Sequence, residues 1–400
     1  MAEGKTDSSA SPGGAAAGGR ALEGVGRVFY GQQDGHPEIT PFPSCLRSCL
    51  KYLGEESLPS NLAYARILCR SGAAFRLVWN PSRWDGGNVD ILAMEDDAVA
   101  PIRRAFEASG FEARLFANAD WEGLRSEGRA VSEAASKFPA FLGEEAMKKV
   151  IVSSIDNGKP VIAFGVIGPP EACIVAGYED GGGTLLGWNF FQGFEDAFPE
   201  REFDSAGRFR KRGWYPGITG VALFGWRIAG AEDDPRSEAA ELIDLALEVM
   251  TARRIGTGER ARVSGQAAFS SLADALRSGS LPCAEGERHE VARMMASCDA
   301  LDMCNEGRYY AALYFGLLAQ SLADGEAAAA LKEASLAFRI ESGNIWDAVK
   351  LLGGSRRGPE QIAALASEET RIAISERIRA AAAEEEHAAV LLLKARRLLV

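Results

Sequence analysis

The residues of this chain that could do chemistry lie in a few short stretches. Glu171 opens the apolar run ACIVAGY within GPPEACIVAGYEDGGGTLLGWNFFQG, residues 168 to 193. A carboxylate at the head of a buried strand can hold a ligand amine; behind Pro169 and Pro170 it can equally be a solvated residue at a strand entrance. FRLVWNPSRWDGGNVDI gathers Trp79, Asn80, Trp84, Asp85, Asn88 and Asp90 around a glycine pair, and GWNFFQG offers Trp188, Asn189 and Gln192. Aromatic surface with a few fixed polar groups can wall a ligand pocket, and the same tryptophans can plug a core. Cys45 and Cys49 stand four apart, a spacing that suits a metal pair or redox couple and also suits two small residues on a buried helix face.

Other motifs point away from metals and cofactors. The seven cysteines (Cys45, Cys49, Cys69, Cys173, Cys283, Cys298, Cys304) are odd in number and form no CxxC pair, so no disulfide framework or zinc ribbon is expected. Gly181 to Gly183 make a hairpin turn with no helix behind it, unlike a phosphate loop. EEEH near 384 lacks the second histidine of a zinc-protease helix. Only His36, His289 and His387 could serve as imidazole bases.

The elements that must position these residues divide the chain. Residues 1 to 26 are expected to be a disordered tail, because the first 20 are Gly, Ala and Ser with little to bury and no apolar signal core. From 27 to 230 short helix and strand patterns alternate. PSCLRSCLKYLG predicts a helix over 43 to 54, PVIAFGVIG a buried strand, and the EDGGG turn a hairpin between ACIVAGY and TLLGW. Beyond AEDDPRS, from 235 to 400, apolar residues recur at three- and four-residue spacing with Gly or Pro between segments, which predicts five or six helices and no strand. Helix first and antiparallel strands afterwards is an α+β plan, here followed by an all-α part that can supply packing surface or the interface of a homodimer.

Composition narrows the function classes. No apolar run approaches a membrane span, and a formal charge of −12 offers no basic stripe for nucleic acid. A cytoplasmic protein with a small-molecule partner is expected.

The helix with a cysteine near its start, the strand GKPVI at 158 to 162 and the apolar strand ending in Gly177 and Tyr178 resemble the papain-like fold of bacteriocin-processing peptidases. SGAAFRLVWNPSRWDGGNVDI (71 to 91) and GNIWDAVKLLGG (343 to 354) resemble segments of the family named for butirosin biosynthesis protein H, which joins such a domain to a helical region. The resemblance implies acyl or peptidyl transfer by a cysteine thiolate with a histidine base. It puts the nucleophile at Cys45 or, counted from the helix end, at Pro41 or Phe42. The base would stand at Glu171 and the third member near Asn189. Glutamate is a poor base toward a thiol, with reference pKa values of about 4.3 and 8.5, and its charge would raise the thiol's pKa. The expectation is therefore a pseudoenzyme: a degenerate cleft that binds an amine or peptide-like metabolite of secondary metabolism through Glu171, Asn189, Trp188, Trp79 and Trp84. Its rivals are a cysteine-dependent acyltransferase or amide hydrolase using Cys45, and an assembly module acting through the helical part.

Overall fold

The computed structural model describes residues 18–80, 87–129, 131–168, 171–193, 202–228, 234–256, 261–280, 289–322, 325–355 and 358–399. The fold is mixed α+β. Its main sheet runs, in spatial order, Glu202–Phe203, Phe209–Arg212, Thr184–Asn189, Ala172–Glu179, Val161–Phe164, Gly220–Arg227, Phe111–Asn118 and Phe141–Leu142. Every neighbouring pair is antiparallel except the last, which is parallel. Strand Ala172–Glu179 is buried along almost its whole length, as an apolar run covered on both faces should be.

Arg20–Ala21 add to this sheet beside Tyr178 and Gly177, and Leu22 and Val25 are buried, so residues 18 to 26, expected in the tail, are part of the fold instead. The close approach needs Gly177: a Cβ there would lie 2.7 Å from the Arg20 carbonyl oxygen.

Helix Pro41–Tyr52 lies against strand Ala172–Glu179. It starts two residues earlier than the sequence pattern suggests, because Pro41 fits the first helical position, where no N–H is needed. Cys45 therefore sits beyond the first turn rather than at the helix start.

The C-terminal part holds helices Pro235–Thr251, Gln266–Ser278, His289–Ser321, Glu326–Leu351, Pro359–Ala366 and Glu368–Leu398. It also contributes two short strands that its helical pattern hides, Arg254–Ile255 and Arg262–Ser264, the second pairing with Val78–Trp79. The two parts are not separate cores. Phe75 packs on Phe315 and Phe338, and the Tyr64 and Tyr310 rings meet edge to face at 4.9 Å. No described helix is long and apolar enough to cross a membrane.

Candidate functional site

The start of helix Pro41–Tyr52 is where a polarised thiolate would be expected, and protein groups fill it. Phe42 is 1% exposed and stacks on Phe164 with ring centroids 6.3 Å apart. Just ahead of the helix, the Ile39 N–H donates to Glu306 Oε1 at 2.6 Å and the Thr40 hydroxyl to Glu306 Oε2 at 2.5 Å, while the Tyr64 hydroxyl donates to Oε1 at 2.9 Å. A carboxylate from the helical part thus binds the segment leading into the helix, whose own first turn carries Pro41 and Pro43 and so lacks their backbone donors. Behind it lies buried Glu38, held by Arg47 Nε at 2.6 Å and by His36 Nε2 at 3.0 Å. Tyr310 donates its hydroxyl to the Pro37 carbonyl.

Burial pushes the Glu306 carboxyl up to about 7, against the hydrogen bonds from Thr40, Ile39 and Tyr64, with the Glu38 charge adding to the rise. From the ordinary 4.5 this corresponds to ~3 kcal/mol. Since the folded value is the raised one, this stability is present below pH 4.5 and lost as pH climbs through 7. Glu306→Gln cannot ionise, so the difference in unfolding free energy between wild type and variant should shift by about 2–3 kcal/mol between pH 5 and 8 in chemical denaturation. A difference independent of pH would contradict this assignment.

Cys45 is fully buried. Its thiol is pushed well above the ordinary range, by burial first and then by neighbouring Cys173, Cys49, Glu38 and Glu171. Cys173 is pushed up to about 12 by burial, and Cys49 also upward. Glu171 is half-buried where strand Ala172–Glu179 begins, with its carbonyl accepting the Gly165 N–H at 3.1 Å. Asn189 stands opposite Cys173 in the hairpin register and is 1% exposed. Its amide is committed to the backbone: Nδ2 donates to the Ile167 carbonyl at 3.1 Å and Oδ1 accepts the Phe191 N–H at 2.8 Å. Gln192 is committed too: its Oε1 accepts the Asn189 N–H in the same turn at 3.3 Å and its Nε2 donates to the Gly207 carbonyl of a neighbouring turn. Trp188 donates its indole N–H to the Val25 carbonyl at 3.0 Å.

The other sequence candidates lie in a different cluster. Trp79 is 2% exposed and packs with Phe269, Leu272 and Ile345, so it plugs the core instead of walling a pocket with Trp188. Asn88 clamps the Val78 strand, accepting its N–H at 2.8 Å and donating to its carbonyl at 2.7 Å. Asn80 is buried beside them. Trp84 and Asp85 lie outside the described residues. A single site uniting Trp79, Asn88, Asn189 and Trp188 is not formed, because their polar atoms hold backbone or their rings fill core. Among the described residues, no group of three or more His, Cys, Asp and Glu side chains could hold a metal ion.

Sequence reasoning missed the charges that join the two parts. Arg308 is fully buried: Nε and Nη2 grip Glu385 at 2.7 and 2.9 Å, Nε lies 2.9 Å from Glu341, and Nη1 donates to the Ala74 carbonyl at 2.7 Å. Neighbouring Gly307 permits this approach, since a Cβ there would lie 2.5 Å from the Ala74 oxygen. Burial and the Glu385 charge beside it push the Glu341 carboxyl well up. The signal was present in MCNEGRYY, where Glu306 and Arg308 interrupt a run that otherwise reads as helix core.

No protein-family model matches the chain, and no curated protein matches it significantly.

Proposed function

We propose that the chain is a non-covalent binder of a small amine or peptide-like metabolite, built on a papain-like scaffold whose nucleophile position has been closed. The papain-like reading is supported by a first helix packed on the central hairpin of a mainly antiparallel sheet. The observation that carries the non-covalent reading is the state of Cys45: fully buried, with a thiol pushed well up and no histidine described against it. His36 is engaged with Glu38. Thiolate chemistry needs the opposite arrangement, an accessible sulfur with a lowered pKa and a base in reach.

Glu171 is the candidate that retains partial exposure next to the former catalytic position, and its carboxylate would take the ligand's ammonium group. Charge-assisted hydrogen bonds contribute about 1.5–3 kcal/mol, so Glu171→Gln should weaken binding at least about tenfold. Calorimetric titration with putrescine and with alanine amide as probes should show saturable binding that Cys45→Ser leaves unchanged. A covalent adduct on Cys45, or full affinity in Glu171→Gln, would overturn the proposal.

A further inference from the structure

We propose that a second site, distinct from Glu171, binds a phosphate monoester in the groove between helix Glu144–Asp156 and strands Phe111–Asn118 and Gly220–Arg227. The groove, of about 520 Å³, is lined by Arg114, Lys149, Ser153, Asn157 and Lys159 over an apolar floor that includes Leu223 and Phe224. Three cations meet there, Arg114 from a strand, Lys149 from the helix and Lys159 from the turn after it, and no carboxylate lines the groove, in a chain whose formal charge is −12.

The absence of pairing is selective. On the same helix Lys148 is bound by Glu144 and Glu145, at 2.9 and 2.8 Å, as a helix lysine ordinarily is. Lys149, the next residue, forms no close ion pair among the described residues, although its charge helps to lower the neighbouring Glu145 carboxyl, and Arg114 and Lys159 form none either. Glu112, two residues before Arg114, is not part of the lining but borders it: a Cβ at Gly225 would lie 3.1 Å from Glu112 Oε2 and 3.1 Å from Arg114 Cγ. Lys159 is steered into place by the carbonyls of Phe224 and Gly225, at 3.4 and 3.3 Å. Lys149, Ser153 and Asn157 recur every four residues, so they share one helix face. A concave surface of one charge sign concentrates field and draws in oppositely charged ligands.

The ligand chemistry follows from the donors. An arginine fork, two ammonium groups and a serine hydroxyl suit the several oxygens of a phosphate dianion, for which arginine pairing is geometrically matched. The organic part of the ester would rest on Leu223 and Phe224. This reading does not depend on the amine site at Glu171.

The test is calorimetric titration of the full chain with phenyl phosphate, and with inorganic phosphate and citrate for comparison. Phenyl phosphate should bind saturably, more weakly as salt rises. Arg114→Ala and Lys149→Ala should each weaken it about tenfold. Both residues are exposed, so circular dichroism of the variants should match wild type. Lys137→Ala, at an exposed lysine elsewhere, and Glu171→Gln should leave binding unchanged, which separates failure here from failure of the amine proposal. No saturable heat, insensitivity to both substitutions, or tighter binding of citrate than of phenyl phosphate would overturn the assignment.

Discussion

Arg308→Ala is expected to lower the unfolding free energy by about 3–5 kcal/mol, the usual cost of removing one partner from a buried ion pair. The substitution would strand Glu341 and Glu385, both fully buried, and would also leave the Ala74 carbonyl without its donor. Glu341 is already pushed up while the guanidinium is present, so without it Glu341 would have to bind a proton or draw in water, and Glu385 would lose its buried partner. Arg308→Lys keeps the charge but not the planar fork that spans Glu385, and should fall between wild type and alanine. A triple variant that replaces the whole set, Arg308→Met with Glu341→Leu and Glu385→Leu, should recover most of the loss, since a buried triad contributes less to stability than to register. Urea denaturation of the four proteins checks this. A loss below about 1 kcal/mol for Arg308→Ala would show that the cluster is solvated.

This cluster also marks where sequence reading stops. The first helix, the hairpin and the α+β plan were legible because their signals are local: proline at a helix start, glycine at a turn, apolar runs of strand length. The C-terminal helices were legible for the same reason. The short strand Arg262–Ser264 was not, because two or three residues carry no period and the pairing to Val78–Trp79 is set by tertiary contact. The same limit governs the site. Trp79, Asn88 and Asn189 are residue types that suit a pocket, but which face is covered depends on elements far along the chain. Glu171 could be placed at a strand head from ACIVAGY alone. That Glu306 would bind Ile39 and Thr40, more than 260 residues away, could not, since an acidic residue in a helical run reads as solvated until its burial is known.

The claim that this fold has given up thiol chemistry is tested most directly by the pH dependence of Cys45 alkylation in the native protein, followed peptide by peptide by mass spectrometry. Cys45 is fully buried among Cys173, Cys49, Glu38 and Glu171, each of which adds to the rise that burial itself imposes on the thiol. Iodoacetamide can then reach it only through opening of the core, a state populated at ~10⁻³ or less in a stable domain. At pH 8 its modification should be slower than in the urea-unfolded chain by a factor on the order of 10³ or more, and no faster than that of the buried Cys49 and Cys173. Fast, selective modification of Cys45 with an apparent pKa well below 8 would mean an activated, accessible thiolate and would contradict the account.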